Sequence, residues 1–141
     1  MYRIRIDRDR CIGCLTCVTA CVVSHQTESG DARNRVVIDS ETTPAPIFCR
    51  HCDKPECTFT CMTGAMHKNP ETGFVEYDKD HCASCYMCIM SCPFGIQKYD
   101  SIRQKEIMKC NMCVHRSEDG KTPMPMCVEK CPMHAITLVE I

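Results

Sequence analysis

The alternation of apolar and polar residues marks both ends of the chain as short strands. Tyr2-Arg-Ile-Arg-Ile6 alternates residue by residue, and Ala135-Ile-Thr-Leu-Val139 is rich in β-branched side chains. If these two segments pair, the first and last parts of the 141-residue chain lie next to each other. A chain of this length fits one domain or two small ones.

A second pair of strands is predicted in the middle of the chain. Asn69-Pro-Glu-Thr-Gly73 is typical of a turn. Phe74–Tyr77 alternates as a short strand, and Ala65–Lys68 can pair with it across that turn. A hairpin therefore occupies this central region.

The remaining segments are predicted to be connections. Residues 22–48 and 93–109 act as linkers, and Ser29–Asp31 and Thr42–Pro46 within the first linker are predicted loops. Ser117-Glu-Asp-Gly-Lys-Thr-Pro123 is a polar surface loop and a candidate partner contact.

The composition indicates that something other than an apolar core holds the fold together. Sixteen residues are cysteine, whereas the chain has no Trp, four Phe and four Tyr. The hydrophobic fraction of 44% includes those cysteines, so an ordinary core would be thin. Small cores of this kind usually need disulfides or metals.

The cysteines fall into four groups of four, with none left over. The groups are Cys11, Cys14, Cys17 and Cys21; Cys49, Cys52, Cys57 and Cys61; Cys82, Cys85, Cys88 and Cys92; and Cys110, Cys113, Cys127 and Cys131. The first and third groups share the spacing C-x2-C-x2-C-x3-C, which is typical of two-cluster ferredoxins. The second is spaced C-x2-C-x4-C-x3-C and the fourth C-x2-C-x13-C-x3-C.

This spacing has a physical reason. Short gaps let one loop curl around a [4Fe–4S] cubane and present three thiolates, and Gly13 allows the backbone to approach closely. The fourth cysteine lies one helical turn beyond the third and serves the neighbouring cluster. Cys92-Pro93 and Cys131-Pro132 keep the proline of the ferredoxin pattern, whereas Val22 and Met62 stand in its place in the other groups.

Zinc ribbons and a disulfide framework are the competing interpretations. Ribbons pair two C-x2-C units and do not need the third cysteine, and bridges within such units would constrain little. The N-terminal residues have no apolar signal segment, and no run approaches the ~20 apolar residues that span a bilayer. We therefore expect a cytoplasmic protein with reduced cysteines and no direct membrane span.

The formal charge of −1 changes meaning when clusters are bound. A [4Fe–4S] core with four thiolates carries about −2, so four of them would bring the chain to roughly −9. Such a charge disfavours nucleic acid as a partner. No Gly-rich phosphate loop and no spare cysteine nucleophile is present, so we expect no catalytic residues.

The predicted strands favour one arrangement of the cysteine groups. The central hairpin joins the second and third groups, and the terminal strands bring the first next to the fourth. The predicted fold is α+β, with two bacterial-ferredoxin-like 2[4Fe–4S] modules, one inserted into the other, built from short hairpins and short helices. Residues 1–40 and 101–141 form the outer module, and residues 41–100 form the inserted one. Spacing alone also permits the first group to pair with the second and the third with the fourth.

On this arrangement the sixteen cysteines are iron ligands of four sites, which we number 1 to 4. The ligand sets are Cys11, Cys14, Cys17 and Cys131 (site 1); Cys21, Cys110, Cys113 and Cys127 (site 2); Cys49, Cys52, Cys57 and Cys92 (site 3); and Cys61, Cys82, Cys85 and Cys88 (site 4).

The residues resemble a known family. The four spacings, together with Phe48-Cys-Arg-His-Cys52 and Cys88-Ile-Met-Ser-Cys-Pro93, are similar to the four-cluster ferredoxin-like subunits of anaerobic oxidoreductases. These serve enzymes of the dimethyl sulfoxide reductase, formate dehydrogenase, hydrogenase and carbon monoxide dehydrogenase types. The resemblance covers residues 2–139 and implies interleaved ligation and four [4Fe–4S] clusters arranged as a wire. It also implies a catalytic partner subunit and a further redox protein, such as a ferredoxin or a flavoprotein.

Two other functions fit the same residues. The first is a freely diffusing polyferredoxin that shuttles electrons. The second is a structural or oxygen-sensing protein, although four complete clusters exceed what a sensor needs.

Several further residues have two interpretations. His51 and His81 are either ligands or hydrogen-bonding side chains, and methionines near the cysteines are either soft-metal ligands or apolar filling around the clusters. Because every cluster already has four cysteines, we expect the second interpretation for each. The cations Lys109, Arg116, Lys121 and Lys130 either dock an acidic partner or form a solvated face, and we expect the solvated face.

Overall fold

The fold is described from a computed structural model, in which residues 1–38, 43–102 and 106–141 are described. These residues form eight short strands, four short helices and two 3-10 turns. The strands pair two by two, so the sheets are separate ribbons.

The chain ends form the first ribbon. Strand β1 (Tyr2–Ile6) pairs antiparallel with β8 (Ile136–Glu140), and Ile6 lies opposite Ile136. The buried Ile136 packs with Ile4, Ile6 and Phe48. The predicted pairing of the termini is confirmed, because the apolar residues of both strands cover one small core.

The central hairpin is also confirmed. Strand β4 (Met66–Lys68) pairs antiparallel with β5 (Val75–Tyr77). The turn closes through the Gly73 N–H, which donates to the Asn69 carbonyl at 2.8 Å, and the Asn69 N–H, which donates to the Phe74 carbonyl at 2.8 Å. Met66 and Val75 are buried with Cys88 and Ile107 in a second core.

Both linkers contain a ribbon that the sequence did not predict. Strand β2 (Arg35–Ile38) pairs with β3 (Pro44–Ile47), and β6 (Lys98–Tyr99) pairs with β7 (Ile107–Met108). The loop predicted for Thr42–Pro46 is therefore wrong from Pro44 onwards, and Thr42 lies outside the described residues. Prolines are tolerated in β3 because an edge strand needs no donor on its outer side.

Four helices place the last two cysteines of each group. They are α1 (Thr16–His25), α2 (Glu56–Thr60), α3 (Met87–Ser91) and α4 (Met126–Lys130). Helix α1 packs against α4, and α2 packs against α3. The 3-10 turns are Lys79–His81 and Val114–Arg116.

Helices α2, α3 and α4 each end at the residue before the fourth cysteine of their group. Cys61, Cys92 and Cys131 all have extended backbone with φ between −76° and −67°. Cys61 ends its helix although Met62, rather than proline, follows it. Cys21 differs, because α1 continues through Val22 to His25.

The observed architecture is α+β, as predicted, with ferredoxin-like short helices and hairpins. The two cores described above are small, and cysteines belong to both of them. The predicted module boundary between residues 40 and 41 lies outside the described residues.

Candidate iron–sulfur sites

The four cysteine groups share one backbone feature. The second residue between the first two cysteines has a positive φ in every group: 70° at Gly13, 45° at His51, 57° at Ser84 and 57° at Met112. A left-handed residue within such a loop turns successive N–H groups towards one concavity, and these nests bind anions, including iron–sulfur clusters. Only Gly13 was predictable from the sequence, because serine and methionine seldom adopt this conformation and histidine does so only in a minority of cases.

Backbone N–H groups donate to several of the cysteine sulfurs. The pairs are Arg33 to Cys21 at 3.2 Å, Met66 to Cys61 at 3.4 Å, Ser84 to Cys82 at 3.4 Å, Met112 to Cys110 at 3.4 Å, and Ala135 to Cys131 at 3.4 Å. Donors of this kind stabilise thiolates and tune the potential of a bound cluster. The donor set and the loops therefore fit [4Fe–4S] clusters.

The thiols of the first and last groups lie close together. Burial, together with the charges of Cys11 and Cys131, raises the pKa of Cys17 to about 11. One apolar cleft is lined by all four cysteines predicted for site 1, together with Ile12, Leu15 and Met133.

The thiols predicted for site 2 also lie close together. Burial raises the pKa of Cys127, and the charges of Cys110, Cys113 and Cys21 add to this effect. Cys17, predicted for site 1, contributes as well, so the regions of sites 1 and 2 are neighbours.

The second and third groups form a comparable assembly. Burial raises the pKa of Cys52, and the charges of Cys49, Cys57 and Cys92 also raise it. These are the cysteines predicted for site 3.

The region predicted for site 4 adjoins site 3. Burial, together with the charges of Cys57, Cys82 and Cys61, raises the pKa of Cys88 to about 11. Within the described residues, no three His, Cys, Asp or Glu side chains converge on a single metal ion. A cubane differs from a single ion because each thiolate binds its own iron.

Exposure separates two cysteines from the rest. Cys14 and Cys85 are exposed, whereas the other fourteen are buried or partly buried. Each is the second cysteine of a C-x2-C-x2-C-x3-C group, so the same position reaches the surface in both groups.

Lys109 is not part of a solvated face, and the expectation for it is wrong. Its side chain is only 4% exposed. Its Nζ donates to Cys49 Sγ at 3.1 Å and to the Cys110 carbonyl at 3.3 Å. Burial and the charge of Cys49 raise the pKa of Cys110 to about 12, which places the second and fourth groups next to each other here. No local pattern separates this lysine from an exposed one, so sequence reasoning missed it.

Of the other three cations, Lys121 and Lys130 are exposed, as expected, whereas Arg116 is partly buried. Arg116 donates to Glu129 at 3.0 Å and to the Met124 carbonyl at 2.6 Å, and Lys130 is exposed. Lys121 pairs with Glu71 at 2.9 Å and so connects the 117–123 loop to the central hairpin.

The histidines behave as hydrogen-bonding side chains rather than as a group of ligands. His51 Nδ1 accepts from the Val75 N–H at 3.0 Å, and His81 Nδ1 lies 2.6 Å from Asp78 Oδ2. His25 and His115 stack with ring centroids 4.7 Å apart beside Cys113. Burial lowers the pKa of His25 to about 3, so this imidazole is neutral.

The methionines do not all shield the cysteine groups. Met66, Met108 and Met112 are buried, which agrees with apolar filling. Met62 and Met90 are instead 82% and 75% exposed, so the expectation fails for them.

Comparison with known families decides the identity of these sites. The model of a 4Fe–4S dicluster domain matches residues 41–141, and that of a 4Fe–4S binding domain matches residues 3–26. The chain belongs to the 4Fe–4S dicluster domain family. With four groups of four cysteines, this family member binds four [4Fe–4S] clusters.

Curated relatives of this dicluster protein are named as parts of oxidoreductases. It is 37% identical over 150 residues to a chain of the anaerobic dimethyl sulfoxide reductase of Escherichia coli K12, with 96% of this protein and 71% of that chain covered. It is 34% identical over 156 residues to a subunit of the sulfite dehydrogenase of Allochromatium vinosum, covering 92% and 65%. It is 34% identical over 139 residues to a subunit of the tetrathionate reductase of Salmonella typhimurium LT2, covering 92% and 54%.

A solved structure shares the fold. A chain of the active-site complex BamBC of benzoyl coenzyme A reductase matches with a TM-score of 0.51 and 24% identity, covering 99% of this chain and 79% of that one.

The dicluster protein is an electron-transfer chain rather than a catalytic subunit. Within its described residues, no helix combines the length and apolar character needed to cross a bilayer.

Proposed function

We propose that this protein is the electron-transfer subunit of an oxidoreductase complex. Its four clusters connect a catalytic subunit of the molybdenum, tungsten, nickel–iron or carbon monoxide dehydrogenase type to an electron acceptor or donor. The names of the relatives, which are chains or subunits of oxidoreductases, support this assignment. The observation that carries it is the continuous series of neighbouring cysteines that runs from Cys17 to Cys88.

The proposed ligand sets are those of sites 1 to 4, with the fourth cysteine of each group serving the neighbouring loop. The pKa effects between cysteines support these sets, because the charges that act on Cys17 and Cys52 come from their own predicted sites. The packing of α1 on α4 and of α2 on α3 supports two modules. Residues 41–100 form the inserted module, and residues 1–40 and 101–141 form the outer one.

The same contacts support a linear order of the sites. Cys17 acts on Cys127, which links site 1 to site 2. Cys49 acts on Cys110, which links site 2 to site 3. Cys57 acts on Cys88, which links site 3 to site 4. Sites 1 and 4 are then the ends of the wire.

The ends can exchange electrons with partners because their cysteines reach the surface. Cys14 belongs to site 1 and Cys85 to site 4, and both are exposed. Exposed apolar residues flank each of them: Ile12 and Leu15 near Cys14, and Met87 near Cys85. Apolar patches at the surface are typical of protein interfaces.

When bound, each cluster can accept one electron and release one electron, with its thiolates unchanged. A reduced cofactor of the catalytic subunit supplies the electrons at one end, and a ferredoxin or flavoprotein takes them at the other, or the reverse. The residues of this chain hold the sites in order and keep water away from the central ones. The substrate chemistry belongs to the partner.

Anaerobic affinity purification from the native host, with mass spectrometry of co-eluting chains, tests this function. A stoichiometric subunit that contains molybdenum, tungsten or nickel is the expected result and would name the substrate class. A chain that elutes alone, brown and reversibly reducible, would replace this function with that of a polyferredoxin shuttle. Clusters that cannot be reduced without unfolding would indicate a structural or sensing role.

We also propose a cytoplasmic location. All sixteen cysteines are free in the structure, which suits a reducing compartment. Fractionation of the native host with antibodies against the chain tests the location, and a periplasmic signal would overturn it.

A further inference from the structure

A buried ammonium group lies at the junction between sites 2 and 3. Lys109 is 4% exposed, and its Nζ contacts Cys49 Sγ at 3.1 Å and the Cys110 carbonyl at 3.3 Å. The ion pairs formed among the described residues do not include it. Burying an unpaired cation is costly, so an anionic group must offset this charge.

A second donor, in the 49–52 loop that Lys109 contacts, has no acceptor. His51 is 1% exposed, and its Nδ1 accepts a hydrogen bond from Val75, so the proton of the neutral ring is on Nε2. That Nε2 is buried and has no partner among the described residues. His51 lies between Cys49 and Cys52, so the orphaned N–H belongs to the loop of site 3.

At the other sites, the groups that donate directly to sulfur among the described residues are neutral, and the Arg33 guanidinium acts on Cys21 of site 2 only through its charge. The backbone N–H groups that donate to Cys21, Cys61, Cys82, Cys110 and Cys131 are neutral. Cys14 and Cys113 contact the hydroxyls of Thr16 and Ser24. Site 3 thus combines a cationic donor to a thiolate with a buried imidazole N–H.

Lys68 also contacts the cysteine loop of site 3, but only in a structural role. Lys68 Nζ donates to the Cys52 carbonyl at 2.9 Å and the Asp53 carbonyl at 3.2 Å. It also pairs with the Asp53 carboxylate at 3.8 Å, so its charge is already offset. Lys68 touches the same loop as Lys109 without donating to a sulfur.

We propose that Lys109 and His51 are positioning residues that hold the site 3 cluster at the highest reduction potential of the four. This inference rests on the proposed function and its ligand sets. Reduction adds one electron to the cluster, taken from a neighbouring cluster that is oxidised by one electron, and no proton moves. The cation and the N–H donor stabilise the added charge, so an electron that crosses between the modules rests at site 3.

Anaerobic redox titration of the cluster-loaded protein, followed by electron paramagnetic resonance, tests the proposal. Lys109→Met removes the charge and keeps an apolar stem of similar length. We expect the reduction equilibrium of one cluster, the one reduced first in the natural protein, to shift at least tenfold towards the oxidised form. A tenfold shift is about 59 mV for a one-electron couple. Lys109→Arg should retain most of the original potential, and His51→Leu should shift the same cluster by less.

Two matched variants make the result specific. Lys68→Met should change the reduction equilibrium of each of the four clusters by no more than a few-fold, because Lys68 contacts carbonyls and a carboxylate. Cys92→Ser marks the site 3 cluster, since a changed ligand alters its signal. The signal that Lys109→Met moves must be the signal that Cys92→Ser alters.

Three results would overturn the inference: no shift in Lys109→Met, a shift in a cluster other than the one marked by Cys92→Ser, or an equal shift in Lys68→Met. If one or more of the four sites of Lys109→Met bind no iron, Lys109→Gln is titrated in its place. Failure of both to load would assign Lys109 to assembly instead of to the potential. Iron and sulfide analysis of the natural protein distinguishes failure of this inference from failure of the proposed function. The proposed function fails if the natural protein lacks four reducible clusters.

Discussion

The first and third cysteine groups have the same spacing but different surroundings. In both groups, the residue before the second cysteine and the residue after it have positive φ: Gly13 and Leu15 in one, Ser84 and Tyr86 in the other. In both, a helix begins two residues after that exposed cysteine. The ligand spacing therefore imposes the same loop on unrelated side chains.

The two groups differ after the fourth cysteine. Cys92 has extended backbone and precedes Pro93, so α3 ends at Ser91. Cys21 is buried inside α1, which continues to His25. The extra turn of α1 brings Ser24 Oγ to 3.2 Å from Cys113 Sγ. The extra turn of α1 thus lets this helix also support a neighbouring site, whereas α3 stops before it can do so.

Loss of a fourth cysteine should have the largest effect. Cys21→Ala and Cys92→Ala should each lose one intact [4Fe–4S] cluster of the four, because one iron of that cluster then has no protein ligand. Iron content after anaerobic reconstitution measures the loss.

Double variants then assign the ligands. Cys21→Ala combined with Cys113→Ala should lose no more iron than either change alone, since both belong to site 2. Cys21→Ala combined with Cys17→Ala should lose two clusters. The opposite pattern would mean that each group serves its own cluster.

The next largest effect should come from introducing proline after a fourth cysteine that lacks it. Val22→Pro should destabilise the protein by about 3 kcal/mol, because Val22 lies inside α1 and a proline there breaks the helix. Met62→Pro is the matched control, since α2 already ends and Cys61 is extended. Thermal unfolding of the cluster-loaded variants measures both. Equal losses of stability would mean that the extra turn of α1 contributes nothing.

The left-handed positions should give a smaller effect. Gly13→Ala should cost about 1–2 kcal/mol, because alanine is strained at positive φ. Its Cβ would also lie 3.3 Å from Pro44 Cβ. Ser84→Gly relieves that kind of strain and should change stability by about 1 kcal/mol or less. Denaturant unfolding under argon compares them, and a neutral Gly13→Ala would contradict the expectation.

The smallest effect concerns one hydroxyl. Thr16 Oγ1 lies 3.1 Å from Cys14 Sγ and lowers the pKa of that thiol, whereas Met87 holds the equivalent position beside Cys85. Thr16→Val should lower the potential of one cluster, and Met87→Thr should raise that of another, each by less than about 59 mV. Redox titration measures the shifts. Changes of the same sign in both variants would exclude the hydroxyl as the cause.

The sequence determined the chemistry of this protein and much of its local structure. Cysteine spacing predicted the four-cluster family and the helical turn between third and fourth cysteines, and the predicted strands added the α+β fold. Residue alternation predicted the ribbon of β1 and β8, and the turn at 69–73 predicted the central hairpin. These features follow from local geometry, namely the reach of a short loop and the period of a strand.

Only the tertiary structure decided what surrounds the cysteines. The burial of Lys109 depends on Cys49, sixty residues away in the chain. The orphaned Nε2 of His51 depends on the position of Val75. The prolines of β3 form a strand because β2 lies beside them. Burial and long-range hydrogen bonds leave no mark on local sequence pattern, because they are set when distant segments pack together.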